Sequence, residues 1–215
     1  MTGFAVVRLL DGDPADLRAR WERVLAEAPP PGRPGRVAWM EPLTAPGFPR
    51  ARCAAIDIQW FDDADRALAN EAWLAAADAE LGRAGCQVVA EQVVLRGADW
   101  FAERWRIGGE RYKMLSFGRR NPVLTPRQLS ERWRGESGRL GGEELPRRVR
   151  GQAYVQNHPV LLDGLEWPYD AVTEVWFDRV DDMRQRAAWF ATRSAGGLWS
   201  PDSWSVCVRE IPLEP

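Results

Sequence analysis

The sequence predicts an α+β fold in which one β-α-β-β-α-β unit is used twice, the two copies packed sheet to sheet. Three observations predict it. The first is an internal repeat. Asp13-Pro14-Ala15-Asp16-Leu17-Arg18-Ala19-Arg20-Trp21 is answered by Thr125-Pro126-Arg127-Gln128-Leu129-Ser130-Glu131-Arg132-Trp133. Pro14/Pro126, Leu17/Leu129, Arg20/Arg132 and Trp21/Trp133 all stand 112 residues apart, and Trp60-Phe61-Asp62 returns as Trp176-Phe177-Asp178 after 116. A repeat of about half a chain marks one supersecondary unit used twice. The second observation is that short β-branched runs and helical-period segments follow in the same order in both halves. The third is physical: a unit of this order carries helices on one sheet face only, and a second copy covers the bare face.

In the first copy, Phe4 to Leu10 is a short apolar strand. Asp13 serves as helix N-cap, with Pro14 at the first helical position, where a missing N–H costs nothing. Leu17, Trp21, Val24, Leu25 and Ala28 share one helix face, and Pro29-Pro30-Pro31-Gly32 stops the helix. Strands follow at Val37–Met40 and Ala54–Phe61, then an alanine-rich helix over about Asp63 to Leu81, then a closing strand from Cys86 to Leu95. The second copy repeats this. Tyr112–Phe117 is a strand, and Thr125-Pro126-Arg127-Gln128 is a capping box. Gly151–His158 and Ala171–Phe177 are strands; Val180, Met183, Ala187 and Phe190 mark a helix face, and Ser203–Ile211 closes the unit. The chain divides into an N-terminal unit at 1–97, a linker at 98–109 and a C-terminal unit at 110–215. Trp100, Phe101 and Trp105 predict that the linker packs on the body.

Composition removes several function classes. A net charge of −2 offers no general attraction to nucleic acid or to an anionic membrane. Arginine supplies all but one of the 29 basic residues, the exception being Lys113. With no signal peptide and no apolar run near 20 residues, a soluble cytoplasmic protein is expected. Three cysteines without metal spacing fit a reducing compartment. Phosphate-binding and dinucleotide-binding glycine motifs, the nucleophile elbow and HExxH are all missing. A single histidine argues against a protein-built zinc or iron site. Twelve tryptophans have two readings, core packing or a pocket for a flat hydrophobic ligand.

The candidate chemistry lies in the second copy. Period-two alternation puts Tyr154, Gln156 and His158 on one face of their strand, and Glu174, Trp176 and Asp178 on one face of theirs. A glutamate in an apolar strand is expensive to bury alone. Glu174 is therefore either salt-bridged to an arginine or an acid–base group in a pocket. His158, before Pro159, is either a structural hydrogen-bonding residue or a proton carrier. Aligning Trp39-Met40-Glu41-Pro42 with Tyr154-Val155-Gln156-Asn157 leaves the first copy without a histidine, and Ile58 takes the place of Glu174. Only the second copy is thus expected to host a site.

The second half, over about residues 110–211, resembles the EthD-like proteins. The resemblance rests on Tyr112-Lys113-Met114-Leu115-Ser116-Phe117-Gly118-Arg119-Arg120, on Leu124-Thr125-Pro126 with Leu129 and Trp133-Arg134, on Tyr154-Val155-Gln156-Asn157-His158, and on Glu174-Val175-Trp176-Phe177-Asp178. It implies the dimeric α+β barrel superfamily, here as a tandem fusion. Members include cofactor-independent dehydratases, decarboxylases, cyclases and isomerases acting on aromatic or polyketide-type molecules, cofactor-free monooxygenases and some haem proteins. By the resemblance, the family's asparagine-histidine pair falls on Asn157 and His158 and its strand glutamate on Glu174. Where members often carry a second histidine after Trp-Arg, this chain has Ser137.

The leading expectation is a cofactor-free lyase, of dehydratase or cyclase type. His158 would move the proton, and Glu174 would orient the imidazole or act as the second acid–base group. Asn157 and Tyr154 would hold the oxyanion, with Ser137 as a further partner. Trp133, Trp176, Lys113 and Gln156 form the expected substrate-contacting set. A cofactor-free monooxygenase and a non-enzymatic small-molecule binder or accessory protein are the alternatives, with haem on His158 a lesser one. The partner is a small molecule; the halves form a pseudo-dimer, and further homodimerisation stays open.

Overall fold

The fold was analysed in a computed structural model that describes residues 2–27, 34–70, 73, 84–108, 111–135, 139–140, 143–163, 166–192 and 197–213. The first copy comprises β1 (Thr2–Leu10), α1 (Pro14–Glu27), β2 (Arg36–Pro42), β3 (Ala55–Phe61), a helix α2 described over residues 64–70, and β4 (Ala84–Arg96). The rest of the expected second helix lies outside the described residues. Helix α3 (Ala98–Ile107) leads to the second copy: β5 (Arg111–Gly118), α4 (Pro126–Arg134), β8 (Ala153–Pro159), β9 (Ala171–Phe177), α5 (Val180–Ala191) and β10 (Trp204–Leu213). The second copy also holds a small hairpin, β6 (Arg139–Leu140) with β7 (Glu143–Glu144), and a 3-10 turn at Arg147–Val149, neither of which the sequence pattern signals.

The caps form as their residue types demand. The Asp13 carboxylate accepts from the Ala15 and Asp16 amides at 3.1 and 3.0 Å. The Thr125 hydroxyl accepts from the Gln128 amide at 3.2 Å, and the Gln128 side chain accepts in return from the Thr125 amide at 2.9 Å. On α1 the apolar stripe buries Leu17, Trp21 and Val24.

The strands form one closed barrel in the order β1-β3-β2-β10-β5-β9-β8-β4. Within each half the order is that of a ferredoxin-like sheet. Between halves the sheets do more than face one another: β2 pairs with β10, and β4 with β8, both antiparallel. Closure removes all four free edges that two separate sheets would expose. The register also corrects one equivalence. Val7 faces Ile58 and Leu115 faces Glu174, so Ile58 and Glu174 do correspond. On the next strand, however, Ala38 faces Ile58 and Val155 faces Glu174. Trp39 therefore matches Gln156, and Glu41 matches His158, two residues away from the alignment by composition.

Inward-facing positions fill most of the barrel with Ala5, Val7, Leu9, Met40, Ile56, Ile58, Leu115, Phe117, Val172 and Val206. The end next to α3 is polar instead. Lys113 Nζ lies 2.7 Å from Glu174 and also contacts Glu210, which Arg111 holds at 3.0 Å. Asn157 and Gln92 donate to the other Glu174 oxygen at 2.9 and 3.4 Å.

The stretch expected as a linker is helical and lies at this end. Phe101 packs against Trp176 at 4.9 Å, Trp105 against Trp60 at 5.2 Å, and the Arg111 guanidinium lies 4.1 Å from the Trp105 ring. Gly97 starts the helix at φ 73, where a Cβ would sit 2.3 Å from the Gln152 carbonyl oxygen. Only glycine fits there. Among the described residues, no helix is long and apolar enough to cross a membrane.

Candidate active-site cleft

The outward face of the second copy's sheet carries a cleft of about 630 Å³ beneath α5. The size suits a small molecule of two or three fused rings. Strand register builds its floor. Ser205, Ser116 and Thr173 lie side by side on β10, β5 and β9, and the two serine hydroxyls are 2.8 Å apart. In the neighbouring row, Met114 faces Val175, which faces Tyr154. Helix α5 turns Arg186, Ala187 and Phe190 toward this floor. Trp133 of α4 and Trp199 form an aromatic wall, their rings edge to face at 5.7 Å. Trp199 rests on Gly118, where a Cβ would come within 2.5 Å of its ring. Its loop is tied to the segment after β5 by the Asn121 amide to the Leu198 carbonyl and the Ser200 amide to the Arg119 carbonyl, both at 2.8 Å.

The first copy contributes as well. Phe48, Pro49 and Arg96 line the cleft together with Arg150 and Leu145. The barrel joint between β4 and β8 brings Arg96 beside Tyr154, its guanidinium 5.9 Å from the ring.

The expected site residues divide into three groups. Tyr154 and Trp133 line the cleft. His158 and Gln156 share the Tyr154 face of β8 but are buried beneath α4. Ser130 Oγ is 3.1 Å from His158 Nδ1, Gln156 Oε1 is 2.9 Å from His158 Nε2, and the Gln156 amide donates to the Trp133 carbonyl at 2.9 Å and to the Tyr154 hydroxyl at 3.3 Å. The pattern is self-consistent for a neutral imidazole, with Ser130 donating to Nδ1 and Nε2–H donating to Gln156. The Trp133 ring covers the imidazole at 4.4 Å. Burial pushes His158 down to about 4, Arg134 adds to the shift and Glu91 opposes it.

The third group, Glu174, Asn157, Lys113 and Trp176, points into the barrel. All four are completely buried. Glu174 faces Val155 across the ladder, so it lies on the opposite side of the sheet from His158. It cannot orient the imidazole, and its partner is a lysine where an arginine was the expected salt-bridge partner. Asn157 binds Glu174 and the Val172 carbonyl and does not reach the cleft. Lys113 and Trp176 stack at 4.8 Å inside the barrel, away from any ligand in the cleft. Ser137 lies outside the described residues.

Haem does not fit these residues as the sequence reading placed it, because both nitrogens of His158 are engaged and its ring is covered. Among the described residues no three His, Cys, Asp or Glu side chains gather as a metal site.

Sequence reasoning missed Arg186. It lies three residues after Met183, on the buried stripe of α5, and that stripe position was the available signal. The residue is 7% exposed; its Nη1 donates to the Val149 carbonyl at 2.6 Å and its Nε has no hydrogen-bond partner. Burial lowers its pKa to about 10, with Tyr154 and Cys207 opposing and Arg96 adding. The Tyr154 phenol is raised by burial, although Gln156, Arg186, Trp133 and Arg96 all pull it the other way. It stands in the cleft as a neutral hydroxyl.

No protein-family profile matches the sequence, and no curated protein matches it. Solved structures do. An anthrone oxidase-like protein superposes with a TM-score of 0.55 at 9% identity, over 98% of this chain and 91% of its own. A chlorite dismutase-like protein gives 0.50 at 10% identity, over 98% and 95%. A mutant chlorite dismutase from Candidatus Nitrospira defluvii gives 0.49 at 8%, over 96% and 90%. At such identity the likeness is one of fold, and the fold is the dimeric α+β barrel, built here within one chain.

Proposed function

We propose that the protein binds a flat aromatic or polyketide-like molecule in the C-terminal cleft and acts on it as a cofactor-independent lyase of dehydratase or cyclase type, with Tyr154 rather than His158 as the group at the reacting oxygen. The observation that carries this reading is the place of Tyr154. The residue lines the cleft and its hydroxyl accepts from the Gln156 amide, which leaves the phenolic proton for a ligand. A donor held in this way stabilises negative charge developing on a substrate carbonyl or departing hydroxyl, and such preorganised donors commonly supply the largest catalytic contribution. Ser130, His158 and Gln156 are then positioning residues behind Tyr154. The substrate's own enol would supply the push for an aromatising loss of water. The EthD-like resemblance of residues 110–211 and the description of one fold neighbour as anthrone oxidase-like support an aromatic ketone as ligand.

One observation favours a second reading. Among the described residues no imidazole or carboxylate lines the cleft, so no strong base faces the ligand. That favours a non-enzymatic binding or accessory protein using the same cleft. The test is Tyr154→Phe assayed with a panel of hydroxylated polycyclic ketones under air and under nitrogen. The lyase reading expects turnover without oxygen uptake, with kcat lowered about 100-fold in the variant, in line with losing one oxyanion donor. Binding without turnover supports the accessory reading, and oxygen consumption replaces the lyase with a monooxygenase.

A further inference from the structure

Three arginines, Arg96, Arg150 and Arg186, line the cleft, and among the described residues no aspartate or glutamate lines it with them. Several arginines elsewhere in this chain have close carboxylate partners: Arg111 with Glu210, Arg120 with Asp170, Arg134 with Glu91, Arg209 with Glu41. Here the pattern breaks. Arg150 has only the largely exposed Glu144, at 3.6 Å. Arg96 donates to the Arg150 carbonyl, and its buried Nε has no partner. Arg186 is the most buried of the three and makes one hydrogen bond, through Nη1 to Val149. A buried guanidinium without a counter-charge is costly to the folded protein. It is the arrangement expected where the counter-ion arrives with the ligand.

Resting on the cleft reading above, we propose that the ligand is an aromatic carboxylate and that Arg186, assisted by Arg96, forms its anion subsite. A carboxylate meets a guanidinium through charge-assisted hydrogen bonds. In Arg186 the Nη1 group is committed to Val149 and Nε is buried, so Nη2 is the group left for a ligand. The aromatic body then lies between the Trp133–Trp199 wall and the Ser205–Ser116–Thr173 floor, with Tyr154 near the ring substituents. The subsite is shared between copies, since Arg96 ends the last strand of the first and Arg186 lies on the last helix of the second. That requirement explains why one copy alone does not make the site.

The probes are 2-naphthoate and its neutral isostere 2-naphthamide, with affinity read from quenching of tryptophan fluorescence and checked by calorimetry. The wild-type protein is expected to bind the acid at least 10-fold more tightly than the amide. Arg186→Gln removes that preference while leaving the amide affinity within about twofold. Should Arg186→Gln fail to fold, Arg96→Gln is expected to reduce the preference several-fold. Equal affinity for acid and amide in the wild type overturns the anion subsite and leaves the cleft reading standing. An undiminished preference in a folded Arg186→Gln protein does the same for Arg186. Failure of both probes to bind overturns the subsite and the cleft reading together.

Discussion

Tyr154 and His158 lie four residues apart on the same face of β8, and α4 covers only the second of them. This local difference decides what each can do. His158 is neutral and enclosed, its acceptor filled by Ser130 and its donor by Gln156. Its stability effect follows from the lowered pKa. The unfolded state binds the proton more readily between pH 6.5 and about 4, so the contribution is full above pH 6.5 and is lost as pH falls through that window, by roughly 2–3 kcal/mol. Asp57, buried under α1 and raised to about 6 mainly by desolvation, acts in the other direction: its contribution weakens as pH rises from 3.8 toward 6. Replacing His158 by Phe is expected to flatten the acid side of the stability profile, measured by chemical denaturation between pH 4 and 7, and to leave 2-naphthamide affinity within about threefold. A tenfold loss of affinity would mean that the imidazole reaches the ligand. Glu174→Gln is expected to cost about 3–5 kcal/mol, because it leaves Lys113 underpaired inside the barrel, again with little effect on cleft binding. Denaturation and ligand titration of the same sample check both halves of that expectation.

At the scale of elements, the hydrophobic period and the caps made most of the fold legible. Pro14, Pro126 and the Thr125–Gln128 box place α1 and α4 correctly because capping is a local matter of donors and acceptors. The strands at Phe4, Ala54 and Ala171 were readable for the same reason. What local pattern could not reveal was which side of the sheet is the useful one. Period two correctly separates Glu174 from Thr173 and groups Tyr154 with His158, but both faces of these strands are covered, one by the barrel and one by helices. A polar residue on either face then looks alike in sequence. Helix α3 was concealed by its position between copies, although Phe101 and Trp105 already marked it as packed. Phe101→Ala is expected to destabilise the protein by about 3–5 kcal/mol, the range for a buried aromatic truncated in a core. A change below about 1 kcal/mol in denaturant unfolding would show that α3 is not a structural part of the barrel end.

For the molecule as a whole, the repeat serves closure first and chemistry second. Two like halves share eight strands in one barrel, so neither retains a free edge. Divergence then gave their outer faces different contents. Beneath α1 the first copy packs Trp21 over Arg8, with Asp57 accepting from Trp21 and Gln59 at 3.0 Å each, and Asn70 donating to Gln59. The second copy keeps a cleft at its outer face, walled by Trp133, the counterpart of Trp21. Among the described residues, then, the two copies differ in the cleft as well as in the histidine. The measurement that tests this most directly is a crystal structure with 2-naphthoate bound. Density for the ring between Trp133, Trp199 and Tyr154, with the carboxylate on Arg186, is the predicted result. Density inside the barrel or beneath α1, with the C-terminal cleft left empty, would contradict the account.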